Sequence, residues 1–174
     1  MKAKTLVVYK SVSGFTERYA RWIADELQAD LLPQAKADQK ILERYDLIVY
    51  GGGLHVTAIN GFSKIRKILG RLGNRKAIVF VVGASPDPPL GKIKEQNFKG
   101  KELPLFYLRG GFNFSQLDFP NKVIMYLFIQ ATKRKAVKTK GEKDMITSYA
   151  HPTDFTGKEH IRGLVRQARV LLKA

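Results

Sequence analysis

Apolar residues fall along this chain in two alternating rhythms. Nearly unbroken apolar runs at residues 5–9 (Thr5-Leu6-Val7-Val8-Tyr9), 46–50, 77–82 and 103–108 read as strands buried on both faces. Between them the spacing changes to three and four residues. Ala20, Ile23, Ala24 and Leu27 predict one helix; Ile65, Ile68, Leu69 and Leu72 predict another; Ile161, Leu164, Val165 and Ala168 predict a closing one. A weaker strand is expected at residues 30–34. Unalternating strands separated by helices imply an α/β fold, a parallel sheet with helices on both faces. No repeat, low-complexity tract or linker interrupts the 174 residues, so one domain over 1–174 is expected.

The junction between the first strand and first helix holds the clearest chemistry. Ser11-Val12-Ser13-Gly14-Phe15-Thr16 is short, small and rich in hydroxyls. A polar loop that opens a helix meets unpaired N–H groups and the positive end of the helix dipole, so it suits a phosphate. A capped helix without a ligand is the alternative. The chain has neither G-x-x-x-x-G-K-[ST] nor G-x-G-x-x-G, which removes the P-loop hydrolases and the dinucleotide fingerprint. Three further strands are expected to end in glycine, at 51–53, 83 and 110–111. Ligands of doubly wound sheets lie at these carboxyl ends, so the 51–55 and 83–86 loops become candidates to flank a flat ring.

The loop resembles the [TS]-x-[TS]-G-x-T loop by which flavodoxin-like proteins bind the phosphate of FMN. Residues 45–51, the segment Leu108-Arg109-Gly110-Gly111-Phe112-Asn113 and the stretch from Asp118 to Met125 resemble, more narrowly, the flavodoxin-type menaquinone-dependent protoporphyrinogen oxidases. The resemblance implies a flavodoxin-like doubly wound sandwich, a five-stranded parallel sheet of order 2-1-3-4-5. It implies FMN as cofactor, held by Ser11, Val12, Ser13, Gly14, Phe15, Thr16, Gly52, Gly53, Leu54, His55, Gly83, Ala84 and Ser85. It also implies an FMN-dependent oxidoreductase that oxidises protoporphyrinogen or a similar anionic substrate, with a quinone acceptor or a redox partner protein. A basic flavodoxin-type electron carrier without its own substrate is the alternative, and a domain that has lost its cofactor is a third reading. His55 is a candidate to hydrogen-bond the flavin or substrate; His151 and His160 are expected at the surface.

Charge then narrows the partners. The chain holds 31 Lys and Arg against 15 Asp and Glu, a formal charge of +16. Such a balance speaks to partners rather than fold. Arg109, and Lys92 or Lys94, are candidates to meet substrate carboxylates. Lys122, Lys133, Arg134, Lys135, Lys138 and Lys140 cluster where residues 119–141 contain no Asp or Glu. The apolar run 123–129 lies within that stretch and is too short to cross a bilayer, so an anionic membrane face is an expected partner. A buried helix with a solvated basic end is the plain alternative. Nucleic acid answers the charge less well, since no zinc-ligand spacing, RNP-like motif or recognition helix is visible. A basic shell is also expected to raise the flavin potential, favouring acceptance of electrons from an organic substrate. The absence of cysteine excludes disulfides, thiolate metal sites and cysteine nucleophiles, and the histidines and carboxylates show no metal-ligand spacing. With no leader-like N-terminus and no spanning segment, the expected address is the cytoplasm, on the inner face of the membrane.

Overall fold

A computed structural model describes residues 3–73, 75–112 and 119–173. The chain runs β1 (Thr5–Lys10), α1 (Phe15–Leu27), β2 (Asp30–Pro33), α2 (Gln39–Leu42), β3 (Leu47–His55), β4 (Ala58–Ile59), α3 (Phe62–Arg71), β5 (Lys76–Gly83) and α4 (Leu90–Phe98). It continues with β6 (Leu105–Arg109), β7 (Gly111–Phe112), α5 (Phe119–Lys133), α6 (Lys140–Ala150), β8 (Thr153–Asp154) and α7 (Arg162–Lys173).

Five strands pair in parallel in the order β2-β1-β3-β5-β6, which is the expected 2-1-3-4-5 once the short β4 is set aside. Successive strand residues point to opposite faces, and here both faces are covered. Leu6, Val8, Ile48, Tyr50, Val79 and Val81 pack beneath α3 and α4. Val7, Leu47, Val49, Ile78, Phe80 and Val82 pack against α1 and α7. This double burial is why the strand sequences do not alternate.

Two strands depart from expectation. The third was expected to stop at its glycines, yet β3 runs through them to His55. It pairs β1 as far as Gly52 and β5 as far as Gly53, and β4 then folds back antiparallel onto Leu54 and His55. Neighbours on both sides carry the extended backbone past the residues that would otherwise break it. Strand β6 begins at Leu105 rather than Leu103. Pro104 has no N–H to give a ladder, although its carbonyl accepts from Val79 N at 2.9 Å.

Between β6 and α7 the chain inserts α5 and α6. A two-stranded antiparallel ribbon, β7 with β8, closes this insertion at its base. Helix α6 starts on a capping box, in which the Thr139 hydroxyl accepts from Glu142 N and the Glu142 carboxylate accepts from Thr139 N.

Candidate functional site

The carboxyl ends of β1, β3, β5 and β6 meet at one edge of the sheet. At the first of these, Gly14 is the N-cap of α1 with φ of 82°, and no side chain caps the helix. Its N–H donates to Ser11 Oγ at 3.1 Å, which folds the 11–16 loop into a tight turn. Only glycine takes this left-handed backbone without penalty. The first-turn N–H groups of α1 therefore face the loop without an intrahelical acceptor. Ser13 and Thr16 supply hydroxyls that hydrogen-bond to no other described residue, and Thr16 is buried. Unclaimed donors around a positive helix end suit a phosphate oxyanion.

The neighbouring rims close on this loop. A Cβ placed on Gly53 would lie 3.8 Å from Thr16 Oγ1 and meet nothing else. Gly51 and Gly52 serve packing instead. A Cβ on Gly51 would fall 2.0 Å from Phe80 Cζ, and one on Gly52 would fall 2.7 Å from the Asn60 carbonyl. Gly52, expected to touch the cofactor, is thus buried under the β3–β4 hairpin. Leu54 reaches the end of β5, 3.4 Å from a Cβ built on Gly83. His55 and Val12 are exposed, whereas Phe15 is buried and packs beneath Gly110 and Gly111.

The 83–85 rim is held from below. Gly110 N donates to Gly83 O at 2.9 Å, and the Tyr107 hydroxyl donates to Ser85 O at 2.6 Å. Burial pushes the Tyr107 phenol up to about 12, so it stays a donor at any ordinary pH. Arg109, expected to await a substrate carboxylate, is already engaged. It donates to Ala84 O at 3.3 Å, pairs with Asp144 at 3.0 Å and stacks its guanidinium 3.7 Å from the Phe155 ring centre. Lys92 and Lys94 stand exposed on α4.

Beyond that rim lies a cavity of about 210 Å³, walled by Ala84 and Ser85 on one side and by Phe128, Asp144, Met145 and Phe155 on the other. The second wall comes from the α5–α6 insertion and the segment after it, and residue spacing does not announce it. The apolar run 123–129 signals α5 and the Thr139–Glu142 capping box marks the start of α6, but neither shows that they wall a cavity.

On the α1 side, the Tyr19 hydroxyl donates to Arg109 O at 2.6 Å and accepts from Gly157 N at 3.3 Å. With its one proton spent, its 2.8 Å contact with His160 Nδ1 requires that nitrogen to be the donor. Burial, more than any neighbour, raises the Tyr19 phenol. His160 is therefore tied into the fold despite its exposed position, while His151 is simply exposed.

The six expected cations divide. Lys135 pairs with Glu142 at 2.6 Å, which holds that carboxyl below its usual range, and Lys138 donates to Lys135 O at 2.6 Å. Lys133, Arg134 and Lys140 are exposed and Lys122 is half-buried. Asn113 and Asp118, which belong to the segments carrying the narrower resemblance, lie outside the described residues.

Comparison with known proteins follows the same lines. A family model described as Flavodoxin domain matches residues 6–139. The Uncharacterized protein MJ0298 of Methanocaldococcus jannaschii is 37% identical over 89 residues, which make up 48% of this chain and 56% of that protein. The chain thus spans little more than half the length of that relative. Oxidised Flavodoxin 1 from Bacillus cereus is 18% identical over 77% of this chain and 100% of its own, with a TM-score of 0.46. A flavodoxin from the domain Archaea is 15% identical over 61% of this chain and 82% of its own, with a TM-score of 0.44. The domain match covers most of the chain and is the finding that decides: this protein belongs to the flavodoxin-domain family, and FMN is its cofactor.

Proposed function

We propose that this protein is an FMN-dependent oxidoreductase with a substrate of its own, rather than a shuttle between proteins. The 11–16 loop holds the FMN phosphate through the first-turn amides of α1 and the hydroxyls of Ser13 and Thr16. Gly53, Leu54 and His55 on one side, and Gly83, Ala84 and Ser85 on the other, orient the ring. FMN supplies acceptance of two electrons from an organic donor and their return to an acceptor.

The observation that carries this reading is the cavity beside Ala84 and Ser85, walled by the α5–α6 insertion. An electron carrier needs only an exposed ring edge; a chamber that shields the ring from water serves a substrate. At about 210 Å³ it takes one edge of a larger molecule, with the rest outside. The excess of 31 cationic over 15 acidic residues favours an anionic one. Protoporphyrinogen, whose propionates are anionic, fits that description, with a quinone as acceptor.

The test is anaerobic mixing of the FMN-loaded protein with protoporphyrinogen, followed by a menaquinone analogue. Flavin absorbance should bleach on the first addition and return on the second. Met145→Trp, which fills the cavity, should raise KM for the substrate about tenfold and leave FMN affinity unchanged. A flavin that ignores both reagents yet cycles with a flavodoxin reductase would establish the carrier reading instead.

A further inference from the structure

Helix α5 has an uncovered side. Met125, Ile129 and Thr132 share its inward stripe, with Ile129 and Thr132 buried. The opposite side displays Val123, Ile124 and Leu127, flanked by Tyr126 and Phe128, and Ile124 and Leu127 keep 63% and 61% of their surface exposed. A helix apolar around most of its girth is ordinarily enclosed, and a contiguous exposed apolar patch marks a contact surface. Cations follow this face along the chain, at the last residue of α5 and just beyond it. Lys133, Arg134 and Lys140 are exposed and form no ion pair among the described residues.

We infer that α5 and the cationic segment after it dock on an anionic lipid bilayer. The helix lies in the interface, with Val123, Ile124 and Leu127 at the acyl boundary and the cations among lipid phosphates. With 15 residues α5 is shorter than the roughly 20 needed to span. No helix among the described residues is long and apolar enough to cross a membrane. A second copy of the chain fits this face poorly. A two-fold interface sets each patch against itself, and residues 119–141 carry cations without a single Asp or Glu. Nucleic acid would leave the apolar side chains without a partner.

Docking goes beyond the proposed activity and stands without it. Only its consequence rests on that reading: Phe128 borders both the patch and the cavity, so a docked molecule opens its cavity toward the lipid.

The experiment is co-sedimentation of the full chain with phosphatidylcholine vesicles, with and without phosphatidylglycerol, at low and high salt. Pelleting is expected with the anionic vesicles at low salt and should be lost at high salt. The double variant Ile124→Ser, Leu127→Ser should weaken it at least tenfold. Neutralising Lys133, Arg134 and Lys140 to Gln should weaken it about a hundredfold. Both variants alter exposed side chains, and unchanged circular dichroism will confirm folding. Flavin-free protein should pellet equally well, which separates failure of docking from failure of the proposed activity. Absence of pelleting, equal pelleting with neutral vesicles, binding indifferent to Ile124 and Leu127, or a solution dimer dissolved by the Ser variant would each overturn the inference.

Discussion

Gly14 concentrates the cofactor chemistry in one backbone angle. At φ of 82° an L side chain is strained, yet a Cβ there would meet nothing within 4 Å. The penalty for Gly14→Ala is therefore conformational rather than steric, about 1 kcal/mol. Relieving it rotates the backbone about the Gly14 N–Cα bond and swings the Ser11 turn against the first turn of α1, which disperses the donors facing the phosphate. Gly14→Ala should weaken FMN binding about fivefold to tenfold and leave riboflavin binding by the same protein nearly unchanged. Fluorescence titration of the flavin-free protein measures both. Equal losses for the two flavins would mean that the loop does not read the phosphate. Thr16 offers a complementary case, because its hydroxyl makes no hydrogen bond to any described residue, so its removal costs the fold no hydrogen bond.

The elements that could be read from the chain are those whose signal is local. α1 shows itself through Ala20, Ile23 and Ala24, all buried on one stripe, and β5 through an unbroken run buried on both faces. Strands β4, β7 and β8 have two residues each, too few for any period, and exist because a neighbour pairs with them. The same limit applies to the site. The 11–16 loop is legible because helix start and hydroxyls sit together in sequence. The cavity wall is not, since Asp144 meets Arg109 across 35 residues. The β7–β8 ribbon is pinned to α1 by an ion pair between Arg18 and Asp154, backed by the Thr156 hydroxyl, which accepts from Arg18 at 2.8 Å. Burial works to raise the Asp154 carboxyl, but hydrogen bonds from Thr156 and the Arg18 guanidinium outweigh it and hold the carboxyl below its usual range. A folded value below the unfolded one adds stability above about pH 4, and that stability is lost as pH falls through the folded value. Both side chains are nearly half exposed, so the contribution is under about 1 kcal/mol. Thermal melts between about pH 5 and pH 2.5 should decline more steeply for the native chain than for Asp154→Asn. Parallel declines would remove the clip from the account of how the insertion is held.

Charge acts on the chain as a body and reaches the flavin through space. A formal charge of +16 on the whole molecule favours electrons added to a flavin held where β1, β3 and β5 end. Lys10, exposed at the end of β1, is a near contributor, whereas the Arg109 charge is offset by Asp144. One cation about 10 Å away contributes about 0.4 kcal/mol in water and several times that through protein. Since 1.4 kcal/mol corresponds to about 30 mV for a two-electron couple, a handful of such charges raises the potential by tens of millivolts. Salt shortens their reach from about 30 Å at 0.01 M to about 3 Å at 1 M. The two-electron midpoint potential should therefore fall by tens of millivolts across that range of salt. Lys10→Gln should start lower and fall less. A potentiometric titration with redox dyes reads both. A midpoint that ignores salt, or rises with it as an acidic surface would make it do, would show that the cations serve the partner alone and leave the electronics of the flavin untouched.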